Sequence, residues 1–275
     1  MSVEPDPLAA PFRRLFFVSL IAFTTAFLLS TIIHEGAHAL TARAFGLHPV
    51  LHHNYVETGD TEDRPAGAEL WVPAAGPFVS LLQGVLCLAG LRLRTRKDRS
   101  AQTLTVLWLG LHGLIGFLGY VGLGPLFPYG DTGKVYTVLG VPAAVQWILV
   151  VAALVVMIVV ARGASTEFER HVMPAPPGVE RPRSRVGMAL MAGPILAGAV
   201  VTSLLSLPVP TFLSLLHPMT SPFVVFTAYG RLRRSREPLP EGARYPAGIP
   251  VGPLVVLALV VGVFRWLAPG IRLSQ

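Results

Sequence analysis

The sequence predicts an all-α polytopic membrane protein of about seven transmembrane helices, with a short extended, β-like, membrane-associated segment after the first. Three observations carry that prediction. Apolar runs recur along the chain, and most reach the ~20 residues that a helix needs to cross a bilayer. Only 13% of the 275 residues are charged, whereas a soluble domain carries about a quarter. The basic residues sit in short clusters between apolar runs, the pattern of cytoplasmic loops. That placement explains the formal charge of +7 without a nucleic-acid partner.

The spans are read in order as residues 15–45, 70–91, 102–122, 134–161, 186–207, 211–230 and 249–268. The first follows Arg13 and Arg14 and is longer than the apolar core of a secretory signal, so it is kept as a retained helix. The fifth and sixth are separated only by Pro208-Val209-Pro210. Basic clusters follow span two (Arg92 to Arg99), span four (Arg162 to Arg185) and span six (Arg231 to Arg244). With seven spans they all fall on the side of Arg13 and Arg14. The loop 46–69, by contrast, carries Glu57, Asp60, Glu62, Asp63 and Glu69. The positive-inside rule then gives a cell-membrane protein with a cytoplasmic N-terminus. A Pro-rich stretch from Met173 to Pro182 divides the chain. We read a four-span core over 1–161, a cytoplasmic Pro/Arg-rich linker over 162–185 and a three-helix unit over 186–275. The single Cys87 excludes a disulfide framework and a cysteine-based zinc site.

The chemistry lies at the end of the first span, in His34-Glu35-Gly36-Ala37-His38. Histidines at i and i+4 share one helix face, so both imidazoles can reach one Zn²⁺. Glu35 between them is placed to act as the general base on water whose pKa the metal lowers to about 7. Ionisable groups in an apolar helix are expensive and are usually there for function.

A catalytic zinc site takes three protein ligands, and one zinc per chain is expected. The metzincin spacing is excluded, because Thr41 and Ala44 stand where Gly and His are needed. Glu167 and Glu169 fall on the opposite side of the membrane by topology. His48, His52 and His53 are on the motif's side, in a loop. Asp131 is the preferred third ligand, within the Pro/Gly-broken turn 124–133 between spans three and four. Its other reading is an N-cap for span four. His112, mid-span, is read as hydrogen-bonded to a neighbouring helix, and Lys134 and Arg265 as snorkelling from span ends.

Three elements together resemble the site-two protease family of intramembrane zinc metalloproteases. They are the His34–His38 motif on a hydrophobic helix, Ala74-Ala75-Gly76-Pro77 opening the second, and Pro128-Tyr129-Gly130-Asp131. The likeness covers roughly 15–140. It departs from the family pattern at Thr132, where Gly is usual, at Ser80, often Asn, and in lacking an Asn upstream of Asp131. The resemblance implies zinc held by His34, His38 and Asp131, with Glu35 as general base. It also implies a substrate strand laid beside an extended edge at 47–56, since a helical peptide bond is sheathed by its own hydrogen bonds. The expected activity is endoproteolysis of transmembrane or membrane-proximal segments of other proteins, with the lipid bilayer as surroundings. Positive-inside counting puts the active site toward the outer side, whereas in well-known bacterial members of the family the motif lies toward the cytoplasm. Oligomeric state is unknown from sequence. A non-proteolytic zinc-binding scaffold or transporter on the same core is the alternative.

Overall fold

A computed structural model of the chain describes residues 8–59, 64–93, 100–172, 182–209, 221–236, 239 and 251–273. Five of its helices are long and apolar enough to cross a membrane: α1 (Ala9–Ala44), α2 (Ala68–Leu93), α3 (Ala101–Leu123), α5 (Ala143–Glu169) and α6 (Arg183–Leu205). Three shorter ones complete the described set: α4 (Asp131–Val138), α7 (Phe226–Arg234) and the apolar α8 (Val251–Trp266). Among the described residues the fold is therefore all-α with five long candidate spans, where the sequence predicts about seven over the whole chain. Of the sixth span, 211–220 lies outside the described residues. Its described remainder is a short 3₁₀ turn (Ser221–Val225) leading into α7, which ends in Arg231, Arg233 and Arg234. The seventh is α8, a 16-residue helix. Of the linker expected over 162–185, residues 173–181 lie outside the described residues, while 162–169 continue α5 and 183–185 begin α6.

The fourth span needs a correction. The sequence predicts one run over 134–161, but the chain turns at Leu139-Gly140-Val141-Pro142, separating α4 from α5. Gly140 adopts φ +60, a conformation that side-chain-bearing residues rarely take. Pro142 then caps α5 from outside its first turn. The apolar count could not see this break because Val141 and the residues around it are themselves apolar.

Helix α1 is the centre, packed by α2, α3, α6 and α8. In its first half Leu15, Val18, Ala22 and Phe23 join Leu104, Leu107 and Trp108 of α3, Phe168 of α5 and Leu190 of α6 in one buried core. One polar contact within it follows from the sequence. Pro194 has no amide hydrogen, so the Leu190 carbonyl one turn before it loses its usual partner. Helix α6 opens there into a π-turn (Met188–Ala192). The Ser19 hydroxyl donates to that carbonyl at 2.7 Å and accepts from Trp108 Nε1 at 3.1 Å, linking three helices.

Helices α2 and α3 approach through glycine. A Cβ on Gly84 would lie 2.6 Å from the Leu114 amide, and one on Gly113 would lie 2.7 Å from the Ser80 carbonyl. Small residues allow such close packing in membranes, where van der Waals contact replaces the hydrophobic drive. Gln83 adds a polar tie, donating to Ser30 Oγ at 2.7 Å and to the Leu109 carbonyl at 2.9 Å.

The extended segment after α1 is present. Strands β1 (Val50–Leu51) and β2 (Val56–Glu57) pair antiparallel, and β3 (Ile271–Arg272) pairs with the other edge of β1. The order β2-β1-β3 leaves the outer edge of β2 unpaired among the described residues.

Candidate metal centre

The motif lies in the last third of α1, where His34, Glu35 and His38 are all buried. Asp131 comes to them from the first turn of α4, and the three groups could hold a metal ion. His34 Nε2 and His38 Nε2 are 3.1 Å apart, and Asp131 Oδ2 lies 3.2 Å from the first and 3.1 Å from the second. Three ligands on a tetrahedral zinc, each about 2.0–2.1 Å from it, are separated by roughly 3.3 Å. The triangle is therefore close to the size a zinc ion requires.

The outer contacts set the imidazoles to face inward. His38 Nδ1–H donates to the Val72 carbonyl at 2.6 Å, so in the neutral ring Nε2 carries the free lone pair. His34 Nδ1 is 2.9 Å from Ser80 Oγ, and donation to that hydroxyl leaves its Nε2 free in the same way. Such partners orient metal-binding histidines and raise their basicity. Tyr120 stacks on the His34 ring, centroids 4.8 Å apart at 14°. Gly76 provides the space. A Cβ there would lie 2.3 Å from His38 Nε2 and 2.6 Å from His34 Nε2, within the volume that an ion bound to both would need. The donor set, its tautomers and this cradle all fit a divalent metal.

Asp131 is not a side-chain cap. Gly130 is the N-cap of α4, and no side chain caps that helix. Gly133 lets the turn close, since a Cβ on it would meet the Phe127 carbonyl at 2.1 Å. Burial works against charge on Asp131, yet the nearness of His38 and His34 outweighs it, holding the carboxyl well below its ordinary range.

Glu35 lines the same cavity, of about 970 Å³, as the triad and Tyr120. Asn54, Tyr55, Val56 and Thr58 of the β1–β2 segment form part of the wall, as do Leu154 and Met157 of α5. His112 also lines it, with its ring edge-on to Phe23 and Phe27.

The other candidates lie elsewhere. Glu167 pairs with Arg170 at 2.6 Å and Glu169 with Arg183 at 3.5 Å. His48 is exposed. His52 stacks on Tyr55 and donates from Nδ1 to the Ala268 carbonyl at 3.3 Å. His53 donates to the Ser206 carbonyl at 2.9 Å and meets Phe264 edge-on. Burial lowers the His53 pKa, with Arg265 and His52 adding to it and the Ser206 bond opposing. These two histidines join the loop after α1 to the C-terminal segment. Arg265 does the same for α6, donating to the Leu205 and Leu207 carbonyls at that helix's end instead of simply snorkelling.

Sequence reading did not assign roles to Gly76, Ser80, Val72 or Tyr120. Gly76 belongs to the Ala74–Pro77 motif and Ser80 is one of the positions that depart from the family pattern, so each carries a signal in the sequence. The Val72 carbonyl carries none.

No family model matches the chain, and no curated protein or solved structure was found to be similar to it.

Proposed function

We propose that the protein is a zinc-dependent intramembrane endopeptidase. The observation that carries this is the triangle of His34 Nε2, His38 Nε2 and Asp131 Oδ2, with Glu35 buried in the same cavity inside a membrane-type helix. The resemblance of these residues to the site-two protease motifs supports the proteolytic reading.

His34, His38 and Asp131 would hold the ion, leaving a fourth position open. A bound zinc supplies Lewis acidity, acidifying water and polarising a peptide carbonyl. Glu35 takes the proton of the attacking water and returns it to the leaving amine. A dedicated zinc-storage or scaffold site has no use for a buried carboxylate that is not itself a ligand, which favours hydrolysis over the non-catalytic alternative. The unpaired edge of β2 gives an extended peptide a backbone to pair with, and its Val56 lines the cavity. In the proposed orientation the N-terminus is cytoplasmic and the cavity faces the outer side.

The test is purified protein, loaded with zinc and reconstituted with a library of single-span membrane peptides. Wild type should cleave members of the library, Glu35→Gln should not, and both should carry about one zinc per chain. Zinc binding without cleavage by wild type would favour the non-proteolytic alternative. Loss of zinc in Glu35→Gln would remove the assigned role of Glu35.

A further inference from the structure

The far end of the molecule carries a second feature that the metal site does not use. Helix α5 runs from Ala143 without a charged residue until Arg162. At 1.5 Å per residue that distance is about 28 Å, close to the hydrocarbon thickness of about 30 Å. The helix presents Val151, Val155 and Val159 outward, so this face meets lipid. Arg162 therefore stands where hydrocarbon gives way to headgroups, on the same helix face as Val159 and Val155 three and seven residues earlier.

Helix α7 packs beside this point, burying Ala228 and Leu232. Its Arg231 and Arg234, three residues apart, project together, and Ser235 and Arg236 follow. Arg231 Nη1 donates to the Arg162 carbonyl at 3.2 Å, which holds its guanidinium over the end of the lipid-facing surface. Arg162, Arg231, Arg234, Ser235 and Arg236 line a cleft of about 570 Å³. All four arginines are exposed, and among the described residues no carboxylate lines the cleft. The nearby acidic groups of α5, Glu167 and Glu169, are engaged with Arg170 and Arg183.

We infer that this cleft binds the headgroup phosphate of an anionic phospholipid. Four guanidinium groups around one concavity repel one another, and a phosphate relieves that repulsion while accepting their forked hydrogen bonds. Basic pockets between helices at the membrane interface take lipid headgroups in this way. The Val155–Val159–Arg162 face distinguishes a lipid from a soluble phosphate, because acyl chains can lie along the valines while the headgroup reaches the cleft. The inference is independent of the metal site and of proteolysis.

The experiment uses the full chain in neutral detergent. Short-chain phosphatidylglycerol, short-chain phosphatidylcholine and inorganic phosphate are titrated separately, and binding is followed by native mass spectrometry and thermal shift. Phosphatidylglycerol should bind at least about tenfold more tightly than phosphatidylcholine, and inorganic phosphate weakly. Each arginine near a charged headgroup contributes on the order of a fivefold factor. The double variant Arg231→Gln/Arg234→Gln should therefore weaken phosphatidylglycerol about twenty-five-fold, and the corresponding Lys pair should restore most of it. Arg92→Gln, an exposed arginine outside the cleft, should leave it unchanged. Should the double variant fail to fold, the single exposed change Arg162→Gln carries the test, with about a fivefold loss expected. Equal binding of the two lipids, or unchanged phosphatidylglycerol binding in the cleft variants, overturns the site. Inorganic phosphate binding as tightly as phosphatidylglycerol overturns the lipid assignment.

Discussion

Replacing Gly76 by Ala should remove the metal site while sparing the fold. The added methyl carbon would stand 2.3 Å from His38 Nε2 and 2.6 Å from His34 Nε2, whereas ordinary contact begins near 3.4 Å. The imidazoles would have to retreat by about 1 Å. Zinc ligands tolerate only ~0.2 Å about their preferred distance, and His38 is held from behind by the Val72 carbonyl at 2.6 Å. Losing a single outer partner of a ligand costs 10–100-fold in affinity. Displacing two ligands should cost at least about 100-fold, or ~2.7 kcal/mol. The helix itself gains little, since residue 76 precedes Pro77, whose ring crowds a Cβ there in the helical conformation. The assay is a competitive zinc titration of the detergent-purified variant, with the melting temperature of metal-free protein measured in parallel. Affinity should collapse while metal-free stability falls by no more than the ~1–3 kcal/mol of an overpacked site. Gly84→Ala is the control, because its Cβ meets Leu114 and should lower stability without touching the metal. Full zinc affinity in Gly76→Ala would refute the assigned position of the ion.

Other expectations test neighbouring contacts. Ser80→Ala removes the partner of His34 Nδ1 and should weaken zinc 10–100-fold in the same titration. Asp131→Asn should lower zinc affinity and hydrolysis together with melting preserved; a small stability loss of about 1 kcal/mol with unchanged affinity is what a cap would give. Ser19→Ala strips the Leu190 carbonyl of its donor and should cost about 1–3 kcal/mol in denaturant unfolding, with zinc content unaffected. Single cysteines at 57–59, placed in a Cys87→Ala background, should label from outside intact cells, and one at Arg234 only after permeabilisation. The reverse pattern would invert the proposed orientation.

Much of this centre was legible because its chemistry is local or marked by punctuation. The i, i+4 histidines need only a helix, and α1 supplies one. Asp131 was findable because a carboxylate in a Pro/Gly-broken turn between apolar runs has few other uses. The long helices were legible from apolar length, except where the break before α5 lay among apolar residues and depended on Gly140 and Pro142. His52 and His53 could not be resolved. Their partners, the carbonyls of Ala268 and Ser206, are backbone groups more than 150 positions away, and a carbonyl has no sequence signature. Strand β3 was missed for the same reason, since two residues leave no period to detect and its pairing with β1 is set by the docking of α8 on α1.

The charge balance of the site explains why so polar a group can sit in a membrane helix. In the proposed site each Nδ1–H is engaged, by Val72 for His38 and by Ser80 for His34, and both imidazoles would serve as neutral ligands. On the proposed reading a divalent ion is then countered by two carboxylates, Asp131 as a ligand and Glu35 beside it, and the total is zero. Buried charge is tolerable in low dielectric when it is closely paired in this way. Without the ion the two carboxylates have only the imidazoles to balance them, so metal removal has a structural cost as well as a chemical one. Saturating zinc at 100 times its dissociation constant should stabilise the chain by about 2.7 kcal/mol, and a chelator should lower the melting temperature of wild type. Asp131→Asn weakens zinc and removes one of the two countercharges, so its response to chelation should shrink at the same zinc concentration. Equal chelator shifts in the two proteins would show that Asp131 does not carry this share of the balance.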